Sequence, residues 1–230
     1  MRMLLPDVRD VDADALHDLY DRDDRHVRAG FVVSADGSTA WEGSSRPLSG
    51  PADLAAFRTL RAVADVVLVG ASTARSEGYG RIPLRASARE WRAEHGRAPE
   101  VRLAVVSRSL DLPPLEGRPV VVTCASSPAD RRAALAEQAD VVVAGDDDVD
   151  VAAAVDALAD LGLPRVLCEG GPQLLQAAAP VLDELCLTLA PVLAGGAPGL
   201  LVAPLPELRP LRLLHLLEDD GVLLARYALP

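Results

Sequence analysis

The chain has 230 residues, of which 50% are hydrophobic and 25% charged, so it is long and apolar enough to bury a core without disulfide or metal staples. Acidic residues outnumber basic residues by 34 to 23, which gives a formal net charge of −11. This charge repels a phosphate backbone, and 3% aromatic residues offer few rings on which bases can stack. The composition therefore argues against a nucleic-acid-binding protein.

Every basic residue in the chain is an arginine. Without lysine, neither a Schiff base nor a Walker-type phosphate loop can form, so an anionic ligand must be held by arginine, backbone N–H groups or hydroxyls. The three cysteines lie far apart in apolar runs, and the histidines show no metal-binding spacing. The sequence has no signal-peptide pattern and no apolar run of membrane-spanning length. We expect free thiols, no metal site, no membrane partner and a cytoplasmic location.

The hydrophobic periodicity predicts alternating strands and helices after a polar first segment. Residues 1–25 are predicted as an acidic N-terminal extension with one short helix, and residues 26–230 as a single domain without linker or repeat. The predicted strands are 27–34, 65–70, 101–107, 118–124, 140–145, 165–170 and 183–193, and the predicted helices are 51–64, 129–138, 149–161 and 172–179. The polar stretch 77–100 is predicted as a long loop with a helical turn at 87–94. Two C-terminal apolar runs separated by Asp-Gly predict an antiparallel hairpin.

This order indicates an α/β fold with a mostly parallel central sheet, flanking helices and a C-terminal antiparallel hairpin. In such a sheet, ligands bind at the carboxyl ends of the strands. Three strand ends have unusual sequences: "SADG" at 34–37, "VGASTARSEG" at 69–78 and "CEGGPQLL" at 168–175. Asp-Gly alone is most often a turn, and Ser72 or Thr73 fits a helix cap as well as a phosphate ligand. Two glycines before Pro172 fit a turn that holds a diphosphate on free N–H groups.

Together, "FVVSADG", "LRAVADVVLVGASTARSEGYG" and "RVLCEGGPQLL…LDELCLTLAPVLAGG" resemble the reductase of riboflavin biosynthesis, within the dihydrofolate-reductase-like superfamily. The resemblance runs from about His26 to Tyr227, in the family's order. It implies that residues 26–230 are a reductase domain that uses NADPH to reduce the ribosylamino group of 5-amino-6-(5-phosphoribosylamino)uracil to a ribitylamino group. The zinc signature of the deaminase often fused to this family is absent, so we expect a stand-alone reductase.

The resemblance also implies the site residues. Those implied to contact the cofactor are Gly70, Thr73, Glu77, Ser107, Arg108, Gly170, Gly171, Pro172, Gln173 and Leu174. Those implied to contact the substrate are Ser34, Ser45, Arg61, Arg81 and Glu169. Arg108 would pair with the 2′-phosphate that distinguishes NADPH from NADH. The two catalytic candidates are Asp36 and Glu169. Asp36 would act as a general acid at the reacting nitrogen, which requires a raised pKa, and Glu169 would hydrogen-bond to the pyrimidine ring.

Some positions depart from the family pattern and leave the substrate open. Glu77 stands where an aspartate is common, and Ser38 where the family often has Lys or Arg. The alternatives are a reductase of a pterin such as dihydrofolate on the same scaffold, and a non-catalytic nucleotide-binding protein. The apolar C-terminal third further predicts a homodimer, because an open edge of such strands is prone to aggregation unless it is paired.

Overall fold

The computed structural model describes residues 1–196 and 199–230. Its strands, in chain order, are β1 (Arg2–Leu5), β2 (Arg9–Asp10), β3 (His26–Ser34), β4 (Val66–Gly70), β5 (Arg102–Val106), β6 (Val120–Thr123), β7 (Asp140–Val143), β8 (Arg165–Gly170), β9 (Glu184–Ala190), β10 (Arg212–Asp219) and β11 (Val222–Ala228). Its helices are α1 (Ala13–Tyr20), α2 (Pro51–Val63), α3 (Ala71–Glu77), α4 (Ala86–Glu94), α5 (Ala129–Ala136), α6 (Val151–Asp160) and α7 (Pro172–Ala178). Short 3₁₀ turns lie at Arg46–Leu48 and Ala179–Val181.

All the described strands belong to one sheet, in the order β2-β1-β10-β11-β9-β3-β8-β4-β5-β6-β7. The strands from β9 to β7 in this order run parallel to one another. The strands β11, β10, β1 and β2 continue the sheet in antiparallel pairs. The prediction of a mostly parallel α/β sheet with a C-terminal hairpin is therefore confirmed.

Alternating side chains of β4 reach two separate cores. Val66 and Leu68 pack into the core under α6 and α7, whereas Val67 and Val69 pack into the core under α1 and α2. Since successive residues of a strand point to opposite faces, an unbroken apolar run is what a strand covered on both sides requires. This is why the run at 65–70 predicted a buried parallel strand.

The N-terminal segment is integrated into the sheet. The predicted short helix is present as α1, but the sequence did not predict β1 and β2. Met3 of β1 and Tyr20 of α1 are 2% and 1% exposed, and β1 pairs with β10. The C-terminal hairpin therefore does not form the open edge on which the homodimer prediction was argued.

The local sequence predicted the C-terminal hairpin turn well and the helix at 87–94 only in part. At the turn between β10 and β11, Asp220 and Gly221 have φ angles of 50° and 80°, the left-handed backbone that the Asp-Gly hairpin signal predicts. The helical turn predicted at 87–94 is instead the nine-residue helix α4. Its Arg92 is fully buried and donates to the carbonyl oxygens of Ala62 and Ala64 at the end of α2, at 2.7 and 2.6 Å.

Candidate active site

Three adjoining cavities form one continuous cleft at the carboxyl ends of the parallel strands. The glycine cavity, about 920 Å³, is lined among others by Gly70, Ser107, Arg108 and Gly171. The central cavity, about 190 Å³, shares Thr73, Gly171 and Pro172 with it. The arginine cavity, about 530 Å³, shares Ser45, Glu77 and Tyr79 with the central cavity and adds Arg46, Arg58, Arg61 and Arg85.

The turn between β8 and α7 forms one wall of the glycine cavity. Gly170 has a φ of +84°, and a Cβ there would lie 2.5 Å from the ring of Phe31. The N–H of Gly171 donates to the Oγ1 of Thr73 at 2.8 Å, and a Cβ at Gly171 would lie 2.9 Å from the same oxygen. Because neither glycine has a Cβ, the backbone of this turn can lie close to Phe31 and Thr73, which any side chain would prevent.

Most of the predicted cofactor residues lie together here. Those that line the glycine cavity are Gly70, Thr73, Ser107, Arg108, Gly171, Pro172, Gln173 and Leu174. Gly170 does not line it but shapes the turn from behind. The wall combines hydroxyls, a tight glycine turn and an exposed guanidinium, which suits a ligand with several phosphates.

Glu77 does not line the glycine cavity, where most of the predicted cofactor residues lie. It lines the central and arginine cavities instead. Its Oε1 accepts hydrogen bonds from the backbone N–H and the hydroxyl of Ser45, at 3.2 and 3.3 Å. The side chain therefore fixes the loop that carries Ser45, a predicted substrate residue, and has no described contact with the glycine turn.

Glu169, Arg61 and Tyr79 form a hydrogen-bonded cluster between the central and arginine cavities. Arg61 of α2 donates from Nε to Oε1 and from Nη2 to Oε2 of Glu169, at 2.7 and 2.6 Å, in a bidentate ion pair. The hydroxyl of Tyr79 also donates to Oε2. Burial and the adjacent Glu169 carboxylate raise the pKa of Tyr79, so its phenol keeps the proton that this bond needs. The cluster holds two of the predicted substrate residues in one orientation.

Asp36 does not have the environment that the predicted general acid requires. The side chain is exposed and lies outside all three cavities. Its carboxylate accepts from the Ser34 hydroxyl at 2.5 Å and from the N–H groups of Ala194 and Gly195 at 3.1 and 2.7 Å. These donors, the Ser34 hydroxyl foremost, lower the pKa of Asp36 to about 2. A lowered pKa is the opposite of the raised pKa that a general acid requires. The hydrogen bonds of Asp36 tie the turn after β3 to the loop after β9.

Arg81 also lies outside the cleft. Its guanidinium forms an ion pair with Glu100 in which both side chains are about 60% exposed. The structure therefore does not place Arg81 beside the other predicted substrate residues, and its role as a substrate contact stays a prediction. The arginines that do line a cavity near this loop are Arg46, Arg58, Arg61 and Arg85.

The arginine cavity carries an excess of positive charge. Four guanidiniums line it, against the two carboxyls Asp53 and Glu77. Arg61 is engaged by Glu169, and Arg46 lies 3.7 Å from Glu77, whereas Arg58 and Arg85 are exposed. Guanidiniums bind phosphate in a bidentate manner, so this end of the cleft suits a phosphate monoester.

Sequence reasoning did not find Tyr79, Asp53 or Arg58. Tyr79 stands alone in a polar stretch, and its contact with Glu169 spans ninety positions of the chain. Asp53 lies in the first turn of α2 and Arg58 further along the same helix, and neither belongs to a motif of the sequence. The one available signal was the helical spacing of Asp53 and Arg61, which are eight residues apart on α2.

Residues 25–224 match the family described as RibD C-terminal domain. The chain belongs to this family. A relative from Methanothermobacter thermautotrophicus, named 2,5-diamino-6-ribosylamino-4(3H)-pyrimidinone 5′-phosphate reductase, is 30% identical over 74% of this chain and 80% of its own length. A protein of the same name from Archaeoglobus fulgidus is 26% identical over 74% of this chain and 82% of its own length. Both relatives are named as reductases.

A solved structure of the same fold supports this membership. A pyrimidine reductase-like protein from Corynebacterium diphtheriae superposes with a TM-score of 0.78 and 26% identity, over 90% of this chain and 92% of that one. An Acinetobacter baumannii RibD structure superposes with a TM-score of 0.71 and 19% identity over 90% of this chain and 58% of its own, which shows the common fold. The resemblance on which the sequence analysis relied is confirmed.

Among the side chains that the structure describes, no three or more His, Cys, Asp or Glu residues are arranged to hold a metal ion. Within residues 1–196 and 199–230, no helix has the length and apolar character needed to span a membrane.

Proposed function

We propose that this RibD C-terminal domain chain is a nicotinamide-dependent reductase of riboflavin biosynthesis that acts on a ribosylaminopyrimidine 5′-phosphate. The observation that carries the proposal is the order of groups along one cleft. The glycine cavity offers a phosphate-binding turn, the Glu169 cluster offers polar groups for a ring, and the arginine cavity offers cations for a phosphate. A dinucleotide and a phosphorylated substrate would then meet at the central cavity.

The named relatives favour one pyrimidine over another. On Glu169, Oε2 accepts from Arg61 and Tyr79 and Oε1 accepts from Arg61, so the carboxylate has room for one further donor. A single ring N–H can fill that place, and both a 2-aminopyrimidinone and a uracil offer one. We therefore follow the names of the two reductases and favour the 2,5-diaminopyrimidinone over the 5-aminouracil that the family resemblance implied.

Different residues would bind the dinucleotide, the substrate phosphate and the substrate ring. A bound nicotinamide supplies a hydride, and the protein has to hold the acceptor carbon close to it. Thr73 and the glycine turn would hold the dinucleotide, and Arg58 and Arg85 the substrate phosphate. Arg61 and Tyr79 would keep the Glu169 carboxylate in the orientation that reads the ring.

Turnover of three substrates tests the function. We expect the purified protein to oxidise NADPH fastest with the 2,5-diaminopyrimidinone ribosylamine 5′-phosphate, more slowly with its 5-aminouracil counterpart, and not with dihydrofolate. The values of kcat/KM for the three compounds compare the recognition of their transition states directly. Turnover of dihydrofolate alone would identify a pterin reductase, and NADPH binding without turnover of any of them would identify a nucleotide-binding protein.

The choice of NADPH over NADH rests on Arg108, which is exposed, lines the glycine cavity and has no hydrogen-bond or ion-pair partner in the described ranges. Arg108→Ala is expected to weaken NADPH binding by about 1.5–3 kcal/mol, the scale of a charge-assisted hydrogen bond, and to leave NADH binding unchanged. Fluorescence titration of both cofactors measures this. The matched variant Asp148→Asn removes the exposed acidic side chain on the same wall and is not expected to weaken NADPH. Equal losses of NADPH and NADH in Arg108→Ala would contradict the assignment.

A homodimer remains our proposal, now on different grounds. One face of β9, β10 and β11 carries half-buried apolar side chains: Leu187, Leu189, Leu216, Leu223 and Tyr227. A two-fold contact would cover this face in both copies. We expect light scattering to give twice the 24.2 kDa of one chain, and Leu216→Arg to reduce that mass to one chain. Leu208→Arg, at a side chain 98% exposed elsewhere, is the control that should stay dimeric. A single-chain mass for the unmodified protein would refute the proposal.

The cytoplasm remains the proposed location. The three cysteines are free and buried, and burial raises the pKa of Cys168 to about 12 and of Cys186 to about 11. Reduced thiols of this kind are usual in a reducing compartment.

A further inference from the structure

Aromatic side chains are concentrated at the central cavity. The chain has two tryptophans, three tyrosines and two phenylalanines, which together make up 3% of its residues. Three of these rings, Phe31, Phe57 and Tyr79, line the central cavity. An aromatic face attracts another flat ring by offset stacking, in addition to the apolar area that the contact buries. A small cavity lined by three rings, in a chain so poor in aromatic residues, suits a planar ligand.

Phe31 and Tyr79 are held in place by the protein itself. Phe31 is 7% exposed and packs in the core under α6 and α7, with its ring against the backbone of Gly170. Tyr79 packs against the core under α1 and α2 and donates its hydroxyl to Glu169. The Arg61 guanidinium lies 5.5 Å from the centroid of the Tyr79 ring. The fold and the Glu169 cluster therefore account for both rings.

Phe57 has no comparable role in the fold. Its ring is half-buried, and in the part of the chain that the structure describes it is not among the side chains that form the hydrophobic cores or pack against them. Among the same residues, Phe57 has no ring–ring or cation–π contact. It does line both the central and the arginine cavities. A large apolar side chain that lies outside the core and faces a cleft marks a surface for a ligand.

Helix α2 places Phe57 between the groups proposed to bind the substrate ring and the substrate phosphate. Phe57 and Arg61 lie one turn apart on the same face of α2, and Arg61 holds the Glu169 carboxylate. Glu169 lines the central cavity together with Phe57. Arg58 follows Phe57 directly in the chain and lines the arginine cavity. A pyrimidine with its edge on Glu169 would therefore present a face to Phe57 and direct its phosphate towards Arg58.

We infer that Phe57 stacks on the pyrimidine ring of the substrate and so determines specificity for a flat ring, an inference that rests on the proposed reductase function. The hydride goes to C1′ of the ribosylamino group, which lies outside the ring. Stacking on the ring is therefore the same before and during hydride transfer. An interaction of this kind lowers KM and contributes little to kcat.

Phe57→Leu tests the inference because it keeps an apolar side chain and removes the flat face. We expect KM for the pyrimidine substrate to rise by about 5- to 150-fold, the range for loss of one base stacked on an aromatic side chain. The value of kcat and the affinity for NADPH are expected to stay close to those of the unmodified protein. Phe57→Met, which is also apolar and not aromatic, should raise KM in the same way.

Trp41→Leu is the matched control. Trp41 is 47% exposed and lines none of the three cavities, although its neighbour Ala40 lines the central cavity. The control thus replaces an aromatic residue by leucine close to the site but outside it. It is expected to leave KM unchanged.

Two ligands that the enzyme does not reduce separate ring binding from phosphate binding. The ribitylaminopyrimidine 5′-phosphate product carries the ring and the phosphate, whereas ribitol 5-phosphate carries the phosphate without the ring. In calorimetric titrations, Phe57→Leu is expected to weaken product binding by the factor seen in KM and to leave the affinity for ribitol 5-phosphate unchanged. Arg58→Ala should weaken both ligands, because a guanidinium that binds the phosphate acts on each.

Unchanged product affinity in Phe57→Leu would overturn the role of Phe57 and leave the proposed function intact. An equal loss of affinity for the product and for ribitol 5-phosphate would do the same, because it would indicate a general disturbance of α2. An unmodified protein that binds neither ligand and reduces none of the three substrates would instead overturn the proposed function, and the stacking role with it.

Discussion

Replacement of Glu184 by glutamine is expected to destabilise the protein by about 3–5 kcal/mol, the cost of removing one partner from a buried ion pair. Glu184 is fully buried on β9 and accepts from Arg28 at 2.7 Å and from Arg226 at 2.5 Å. Arg22 donates to the same carboxylate at 3.0 Å from a more exposed position. Glutamine keeps the shape but leaves the buried guanidiniums without a negative charge. Urea denaturation at neutral pH measures the loss.

The Glu184 cluster also makes the stability of the fold depend on pH. Burial opposes ionisation of Glu184, but the hydrogen bonds and charges of Arg226 and Arg28 outweigh it and lower its pKa to about 2. A lowered pKa stabilises the fold above the unfolded value, and this contribution is lost as pH falls through the folded value. We therefore expect the unmodified protein to lose stability from about pH 4.5 down to about 2, and Glu184→Gln to show a flatter profile over this range.

Asp140 provides a control for Glu184. Its carboxylate also binds two arginines, Arg102 and Arg118, but at the surface, where ion pairs contribute at most about 1 kcal/mol. Asp140→Asn is therefore expected to change stability by less than about 1 kcal/mol. Equal losses for the two variants would mean that burial does not set the strength of the Glu184 cluster.

Gly170→Ala is expected to destabilise the protein by about 2–5 kcal/mol, from left-handed backbone strain and overpacking together. Gly170 has a φ of +84°, and the new Cβ would lie 2.5 Å from Phe31, a side chain packed in the core. Because Gly170 shapes the glycine turn, we also expect NADPH affinity to fall. Chemical denaturation and a cofactor titration measure the two effects.

A substitution at Gly78 tests backbone strain without overpacking. It also has a left-handed φ, +72°, but no atom lies within 4 Å of a Cβ built there. Gly78→Ala is therefore expected to cost only the backbone strain, about 1–2 kcal/mol, with cofactor affinity retained. A similar loss of stability in both variants would show that the contact with Phe31 contributes nothing.

The sequence predicted the parallel half of the fold because its strands are apolar on both faces. The run that became β4 could be buried only between two layers of helices. The strands β1 and β2 carry no such signal, since each is short and Met3 is the one fully buried side chain among them. Their place depends on pairing with β10, more than two hundred residues later in the chain.

The site was predictable where the local sequence itself builds it. The glycine turn after β8 is contiguous, so its residues could be named together. The surroundings of Asp36 could not be predicted, because its partners Ala194 and Gly195 lie 158 and 159 residues away in the chain.

The position of β8 in the sheet has a consequence for how the chain folds. β8 inserts between β3 and β4, although about a hundred residues separate it from β4 in the sequence. Until residues 165–170 have been synthesised, β3 and β4 each lack a neighbour and expose an unpaired apolar edge. Pairing across such a separation slows folding, and an exposed edge on a growing chain favours aggregation. A ribosome-bound chain that ends before β8 is therefore the species most in need of a chaperone.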